Sequence, residues 1–210
     1  MSKRIAVLVS GGGTNLQALI DAQGRNELGG GEIVAVIASK PGAYALERAA
    51  RAGIPGYVVA RKDYPSSQAM TVALVDKLRE LDIDLVVLAG FMVILTQEMV
   101  QAFPNAILNV HPALIPSFCG EGCYGLHVHE KALAYGVKVT GATVHFVSEE
   151  CDGGPIVLQK AVYIQDGDTP EVLQRRVMEQ AEWVILPQAV SLFCQGRLRV
   201  EGRTVRILPQ

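Results

Sequence analysis

The chain is poor in the residues that mark several common protein classes. Its four cysteines, Cys119, Cys123, Cys151 and Cys194, are too few and too irregularly spaced for the stapled framework of a small secreted domain. Reduced thiols in a cytoplasm are the simpler reading. Aromatics make up 6% of the chain, the net charge is −2 and no basic run occurs. A nucleic-acid surface, which needs clustered cations, is therefore not expected. Long apolar runs are also missing: the longest, Leu85 to Leu95, is about half of the roughly 20 residues that a membrane helix needs. Met1-Ser2-Lys3-Arg4 followed by Ile5-Ala6-Val7-Leu8-Val9 imitates the head of a signal peptide. The apolar stretch stops at Ser10-Gly11, short of the roughly 7–15 residues required, so it reads as a first strand. What is present, 210 residues with 50% hydrophobic content, is enough for one substantial core. The expected partner is a small molecule, with no membrane and no nucleic acid. A homodimer is left open.

Apolar runs alternate with helical patterns. Strand-like Arg4–Val9, Ile33–Ala38, Tyr57–Val59, Asp84–Ala89 and Ala106–Val110 are interleaved with helical Leu16–Ala22, Ala43–Ala52 and Ser66–Leu81. This alternation predicts a parallel sheet covered on both faces. Gly53 stands where a helix C-terminal glycine belongs, and Ser66 or Ser67 can cap a helix whose Met70, Leu74, Leu78 and Leu81 form one stripe. Val139–Val147 and Ile156–Ile164 read as antiparallel additions. Thr169-Pro170 opens a long helix, which Pro187 should kink or break. Arg197–Ile207 reads as a terminal hairpin.

Two polar islands carry the chemistry. Asn109 and His111 lie two apart on a strand and can face one side, leaving Val110 to the core. Asp152, in the Gly-rich turn Asp152-Gly153-Gly154-Pro155, can return beside the imidazole and fix its proton. Amide, imidazole and carboxylate together suit the stabilisation of an oxyanion and the movement of a proton. Ser10-Gly11-Gly12-Gly13-Thr14-Asn15, between the first strand and the first helix, suits a phosphate at a helix N-terminus; the alternative is a tight turn capped by Thr14 or Asn15. Leu16 where a third glycine should fall, and no acid after the second strand, disfavour a dinucleotide. Phe91-Met92-Val93-Ile94-Leu95 can wall a slot for a flat ring, or Ile94 and Leu95 can begin a core-facing helix. The aperiodic Pro112–Gly125 stretch reads as a lid or binding loop. Cys119, Cys123, His127 and His129 do not match zinc spacings, and His127 and His129 would diverge on a strand, so no metal is expected. His145 reads as a buried, hydrogen-bonded histidine, or as a support for the site.

These residues occur in an order that resembles the phosphoribosylglycinamide formyltransferases, folate-dependent enzymes of purine biosynthesis. The similarity runs through Ser10–Gln17, Leu88–Met92, Asn109–Pro116, Gly125–His127, Thr143–Val147 and Asp152–Ile156. It implies an α/β fold: an open, mostly parallel, doubly wound, Rossmann-like sheet with antiparallel additions in the C-terminal half. It implies one domain over 1–210, with a phosphate-binding half, 1–105, and a catalytic and folate-binding half, 106–210. By resemblance, Gly12, Gly13, Thr14 and Asn15 hold the phosphate end of glycinamide ribonucleotide and Glu182 its ribose. Met92, Val93, Ile94 and Leu95 border the pterin of the cosubstrate, 10-formyltetrahydrofolate. Asn109, His111 and Asp152 fall on the catalytic positions, with His127 and His145 behind them. The implied reaction is attack of the amine on the formyl carbon, with Asn109 and protonated His111 donating to the tetrahedral oxygen and Asp152 holding His111 charged.

The chain departs from many relatives at Val93 and Ser67, where they carry Arg, and at Trp183, where His is usual. It also has one extra residue before Glu182 and a longer Gly120–Gly125 loop than some relatives. Alternatives are a formyltetrahydrofolate hydrolase, an amino-sugar or methionyl-tRNA formyltransferase, and, in other classes, a nicotinamide-dependent oxidoreductase or a non-catalytic nucleotide-binding module.

Overall fold

The computed structural model describes residues 2–209. Strands β1 (Lys3–Val9), β2 (Gly31–Ala38), β3 (Gly56–Val58), β4 (Leu85–Leu88) and β5 (Ile107–His111) alternate with helices α1 (Thr14–Gly24), α2 (Tyr44–Arg51), α3 (Ser67–Glu80) and α4 (Gln97–Ala102). Then follow α5 (Leu126–Tyr135), β6 (Val139–Phe146), β7 (Ile156–Tyr163), α6 (Pro170–Val177), α7 (Trp183–Cys194), β8 (Leu198–Glu201) and β9 (Thr204–Ile207). Among the described residues these strands form one sheet in the order β3-β2-β1-β4-β5-β6-β7-β9-β8. The first five are parallel, and β6 and β7 are antiparallel additions. The terminal hairpin joins β7 through the parallel pair Ile156 and Thr204.

The continuous apolar strands follow from cover on both faces. Ile5, Val7 and Val9 enter one cluster with Leu16, Leu19 and Leu186, while Ala6 and Leu8 enter another with Leu74, Leu78 and Met99. Successive side chains point to opposite faces, so neither parity can be polar. Each fully buried Leu or Ile contributes about 1.5–3 kcal/mol. Local signals fix the helix ends: Ser66 Oγ accepts from the Ala69 N–H at 3.0 Å, and Gly53 takes φ +71 just past α2. Thr169 Oγ1 accepts from the Val172 N–H, with Pro170 in the first turn of α6.

Two expectations need correction. Pro187 lies inside α7 without ending it; the helical path is instead disturbed upstream, by a π-turn over Met178–Glu182. The proline's ring and missing N–H bear on the carbonyl four residues back, at Trp183, directly after that wide turn. Second, His127 and His129 lie on a helix, α5, which the glycine-rich run before it hides from periodicity.

Strand order reverses around β1 and β4, which opens a crevice at their C-terminal ends. Ser10 clamps the two loops there: its N–H donates to Gly90 O at 3.1 Å and its Oγ accepts from the Met92 N–H at 2.8 Å. The C-terminal end of β5, carrying Asn109 and His111, is next along the sheet. No helix among the described residues is long and apolar enough to cross a membrane.

Candidate active site

The structure gathers Asn109, His111, His145 and Asp152 from three segments. Register pairs Asn109 with His145 and His111 with Thr143 across β5 and β6. Val110 turns into the core. Asp152 returns in a turn where it has φ +54, a left-handed conformation that Asp tolerates better than most residues. Gly154 makes that return possible, since a Cβ there would collide with the Phe146 carbonyl. His111 Nδ1 stands 3.5 Å from Asp152 Oδ2, and His145 Nε2 stands 3.7 Å from Oδ1.

Hydrogen bonds orient these groups. His145 Nδ1 faces the Phe146 carbonyl at 2.8 Å and so carries the proton; its Nε2 is then free to accept from Asn109 Nδ2 at 3.1 Å. That contact uses one N–H of the carboxamide and leaves the second for a ligand. His111 Nε2 donates to the Phe118 carbonyl at 2.8 Å, and the Gly120 N–H donates to Asp152 Oδ2 at 2.9 Å. Backbone of the 117–125 segment thus covers both the imidazole and the acid.

Electrostatics qualify the sequence expectation of a protonated His111. Its ring is 4% exposed, and burial pushes its pKa below the ordinary histidine value although Asp152 and the Phe118 carbonyl pull upward. The free site therefore favours neutral imidazole near neutral pH. For Asp152 burial acts upward, but the neighbouring His145 and His111 rings and the Gly120 N–H outweigh it and hold the acid below the usual carboxylate range. It is an anion at neutral pH.

The glycine loop has an anion-binding form. Gly13 is the N-cap of α1 at φ +72, with no side-chain cap, so neither Thr14 nor Asn15 fills that role. A Cβ at Gly13 would stand 2.6 Å from the Ala45 Cβ, which explains glycine there. Loop carbonyls point away: Gly11 O accepts from the Ala45 N–H at 3.1 Å and Gly12 O from Arg48 Nε at 2.8 Å. First-turn N–H groups remain for a ligand. Beside them Asn15 Nδ2 donates to Glu182 Oε2 at 2.6 Å, and burial raises the Glu182 pKa to about 7 despite that bond.

The apolar lip has no regular structure, and α4 begins only at Gln97. Ile94 and Leu95 therefore do not open a helix. Met92 and Ile94 are 53% and 82% exposed, whereas Val93 and Leu95 are partly buried against the core cluster that contains Leu74, Leu78 and Met99. A groove of about 470 Å³ adjoins it, lined by Gln68, Leu95, Thr96, Glu98, Val147 and Glu149.

His127 is not brought to the centre: it is exposed and pairs with Glu130 at 2.8 Å. The buried histidine of α5 is His129, whose ring nitrogens have no partner. Sequence reading also missed Thr143, whose Oγ1 donates to Ala113 O at 2.7 Å and accepts from the Ile115 N–H at 3.1 Å, pinning the chain just after His111. A polar residue inside the apolar run of β6 was its signal. The backbone contacts of Phe118 and Gly120 leave no such trace. No group of three or more His, Cys, Asp or Glu able to hold a metal occurs among the described residues.

The chain as a whole is similar to known proteins. The formyl transferase family model matches residues 3–190. The phosphoribosylglycinamide formyltransferase of Haemophilus influenzae is 44% identical over 95% of this chain and 91% of its own length. The crystal structure of glycinamide ribonucleotide transformylase 1 from Symbiobacterium toebii superposes with a TM-score of 0.93 at 47% identity, over 99% of this chain and 95% of that one. The trifunctional purine biosynthetic protein adenosine-3 of Drosophila pseudoobscura pseudoobscura is 44% identical over 94% of this chain, which spans only 14% of its length. On these matches the chain belongs to the formyl transferase family.

Proposed function

We propose that this chain transfers the formyl group of 10-formyltetrahydrofolate to the amine of glycinamide ribonucleotide, in a reducing cytoplasm that suits its four free cysteines. The observation that carries the reading is the meeting of Asn109, His111 and Asp152 between an anion-binding helix terminus and an apolar lip. Phosphate would sit on the N–H groups of Gly13, Thr14 and Asn15, with Glu182 toward the ribose. The folate ring would lie along Met92, Val93, Ile94 and Leu95. The amine attacks the formyl carbon, and the carbonyl oxygen becomes negative. The free N–H of Asn109 and Nε2–H of His111 donate to that oxygen, which takes the place of the Phe118 carbonyl. Asp152 receives the proton that the amine loses. The bond from carbon to the folate nitrogen then breaks, that nitrogen takes up the proton held by Asp152, and the carboxylate is regenerated.

His111 need not be charged beforehand, because Nε2–H is a donor in the neutral ring. Negative charge arriving at 111 raises the imidazole pKa, and Asp152 is in place to take the second N–H. The test is to incubate the purified protein with 10-formyltetrahydrofolate, with and without glycinamide ribonucleotide, and to follow tetrahydrofolate release. Release that requires the amine, with formylated ribonucleotide as product, is expected. Equal release without the amine is hydrolysis and overturns the proposal.

A further inference from the structure

The segment covering His111 and Asp152 carries two thiols that the transfer reaction does not use. Cys119 directly precedes a tight turn, and Cys123 closes it, with the Cys123 N–H donating to Gly120 O at 3.1 Å. Gly120 and Gly122 take φ +82 and +74 there, so the chain doubles back between the two cysteines. Both are free and partly buried. Lys131 from α5 donates to Cys123 Sγ at 3.2 Å and to Gly122 O at 2.9 Å, which places an ammonium beside that sulfur. Cys119 Sγ donates to Pro116 O at 3.3 Å on the other side of the turn, and burial, then Asp152 and Cys123, raise its thiol pKa. The same few residues supply the Phe118 carbonyl held by His111 and the Gly120 N–H held by Asp152.

We infer that Cys119 and Cys123 form a reversible modification site for low-molecular-weight disulfides, and that their closure into a disulfide locks residues 118–123 over His111 and Asp152. The Cys123 thiolate attacks one sulfur of the reagent, the reagent's S–S bond breaks, and one reagent thiolate leaves. Cys119 gives its proton to solvent and attacks Cys123 Sγ, expelling the second reagent thiolate. Two protein thiols are oxidised to one disulfide, and one reagent disulfide is reduced to two thiols. A bridge across the turn removes the freedom that the Phe118 carbonyl needs to leave His111 Nε2. A substrate oxygen then cannot reach that donor. This consequence rests on the proposed formyl transfer; the chemistry at the thiols does not.

The test uses glutathione disulfide on the reduced full-length protein, with intact mass, a peptide map and formyl transfer as readouts. Expected are a loss of two hydrogens, a peptide joining Cys119 to Cys123, and a fall in transfer of about a hundredfold, the cost of one lost oxyanion donor. Dithiothreitol should restore activity. Cys123→Ser should match the reduced wild type and stay active in glutathione disulfide. Absence of the joined peptide, a bridge through Cys151 instead, or the bridge with undiminished transfer overturns the inference. A reduced enzyme without transfer counts against the proposed function alone, since the bridge is read by mass.

Discussion

Two buried groups, His129 beneath the site and Glu182 at its proposed ribose end, should give this protein opposed pH dependences of stability that cancel in the wild type between about pH 4.5 and 6.5. His129 is fully buried with both ring nitrogens unpartnered, and burial, aided by His111, depresses its pKa from 6.5 to about 4. As pH falls below about 6.5 the unfolded chain takes up a proton that the folded chain refuses, and stability is lost until about pH 4. Glu182 runs the other way, raised by burial from 4.5 to about 7. Its folded form keeps a proton that the unfolded form releases, so stability present below about pH 4.5 is lost as pH rises toward 7. Each pKa unit is worth about 1.4 kcal/mol, so each group contributes a change on the order of 3 kcal/mol across its window. The slopes oppose between about pH 4.5 and 6.5. Urea unfolding followed by circular dichroism at half-unit steps should show His129→Leu gaining on the wild type as pH falls from 6.5 to 4. Glu182→Gln should gain as pH rises from 4.5 to 7, and between about pH 4.5 and 6.5 the double variant should track the wild type apart from a constant offset. Packing changes shift the offset but not the slope. Difference profiles flat with pH in both single variants would refute the reasoning.

Asn109→Ala and Asp152→Asn should lower kcat by roughly two to three decades while leaving the ribonucleotide KM within a few-fold, read by steady-state formyl transfer; a large KM change with intact kcat would remove either residue from the reaction. In Asp152→Asn the His111 ring should titrate lower still, as followed by its NMR signals, because Asp152 is the main influence pulling its pKa upward. Gly154→Ala should cost roughly 1–3 kcal/mol in urea unfolding, and it should lower turnover as well, since relief of the collision with the Phe146 carbonyl displaces the Asp152 turn.

Strands and helices were legible where one local signal and one burial pattern agreed. The apolar runs of β1, β2 and β4 have both parities buried, and the serine before α3 and the glycine after α2 punctuate their helices as their chemistry requires. Legibility failed where two constraints overlapped. Pro187 reads as a breaker in isolation, but the π-turn before Trp183 takes up the irregularity earlier in the helix. His127 and His129 read as divergent residues of a strand because glycines precede them, whereas α5 presents one to solvent and buries the other.

For the site, residue types identify which groups meet, but not their protonation. Asn109, His111 and Asp152 could be named from strand alternation and a glycine turn. The state of His111 could not, because it depends on a carbonyl seven residues away and on burial that no spacing encodes. Both ring nitrogens face acceptors, at 2.8 Å to Phe118 O and 3.5 Å to Asp152 Oδ2, an arrangement that suits an imidazolium; burial opposes it. Of the two contacts only the first is a well-formed hydrogen bond, so the neutral ring with its proton on Nε2 satisfies the free site. Replacing the neutral carbonyl by an oxyanion adds a full negative charge on that side, and the imidazolium then gains what burial withheld. In the proposed reacting complex the imidazole pKa would thus rise toward the protonation expected from the sequence. Had the ring been charged at rest, its pairing with Asp152 would already be made, and less of the interaction would be left to develop with the transition state.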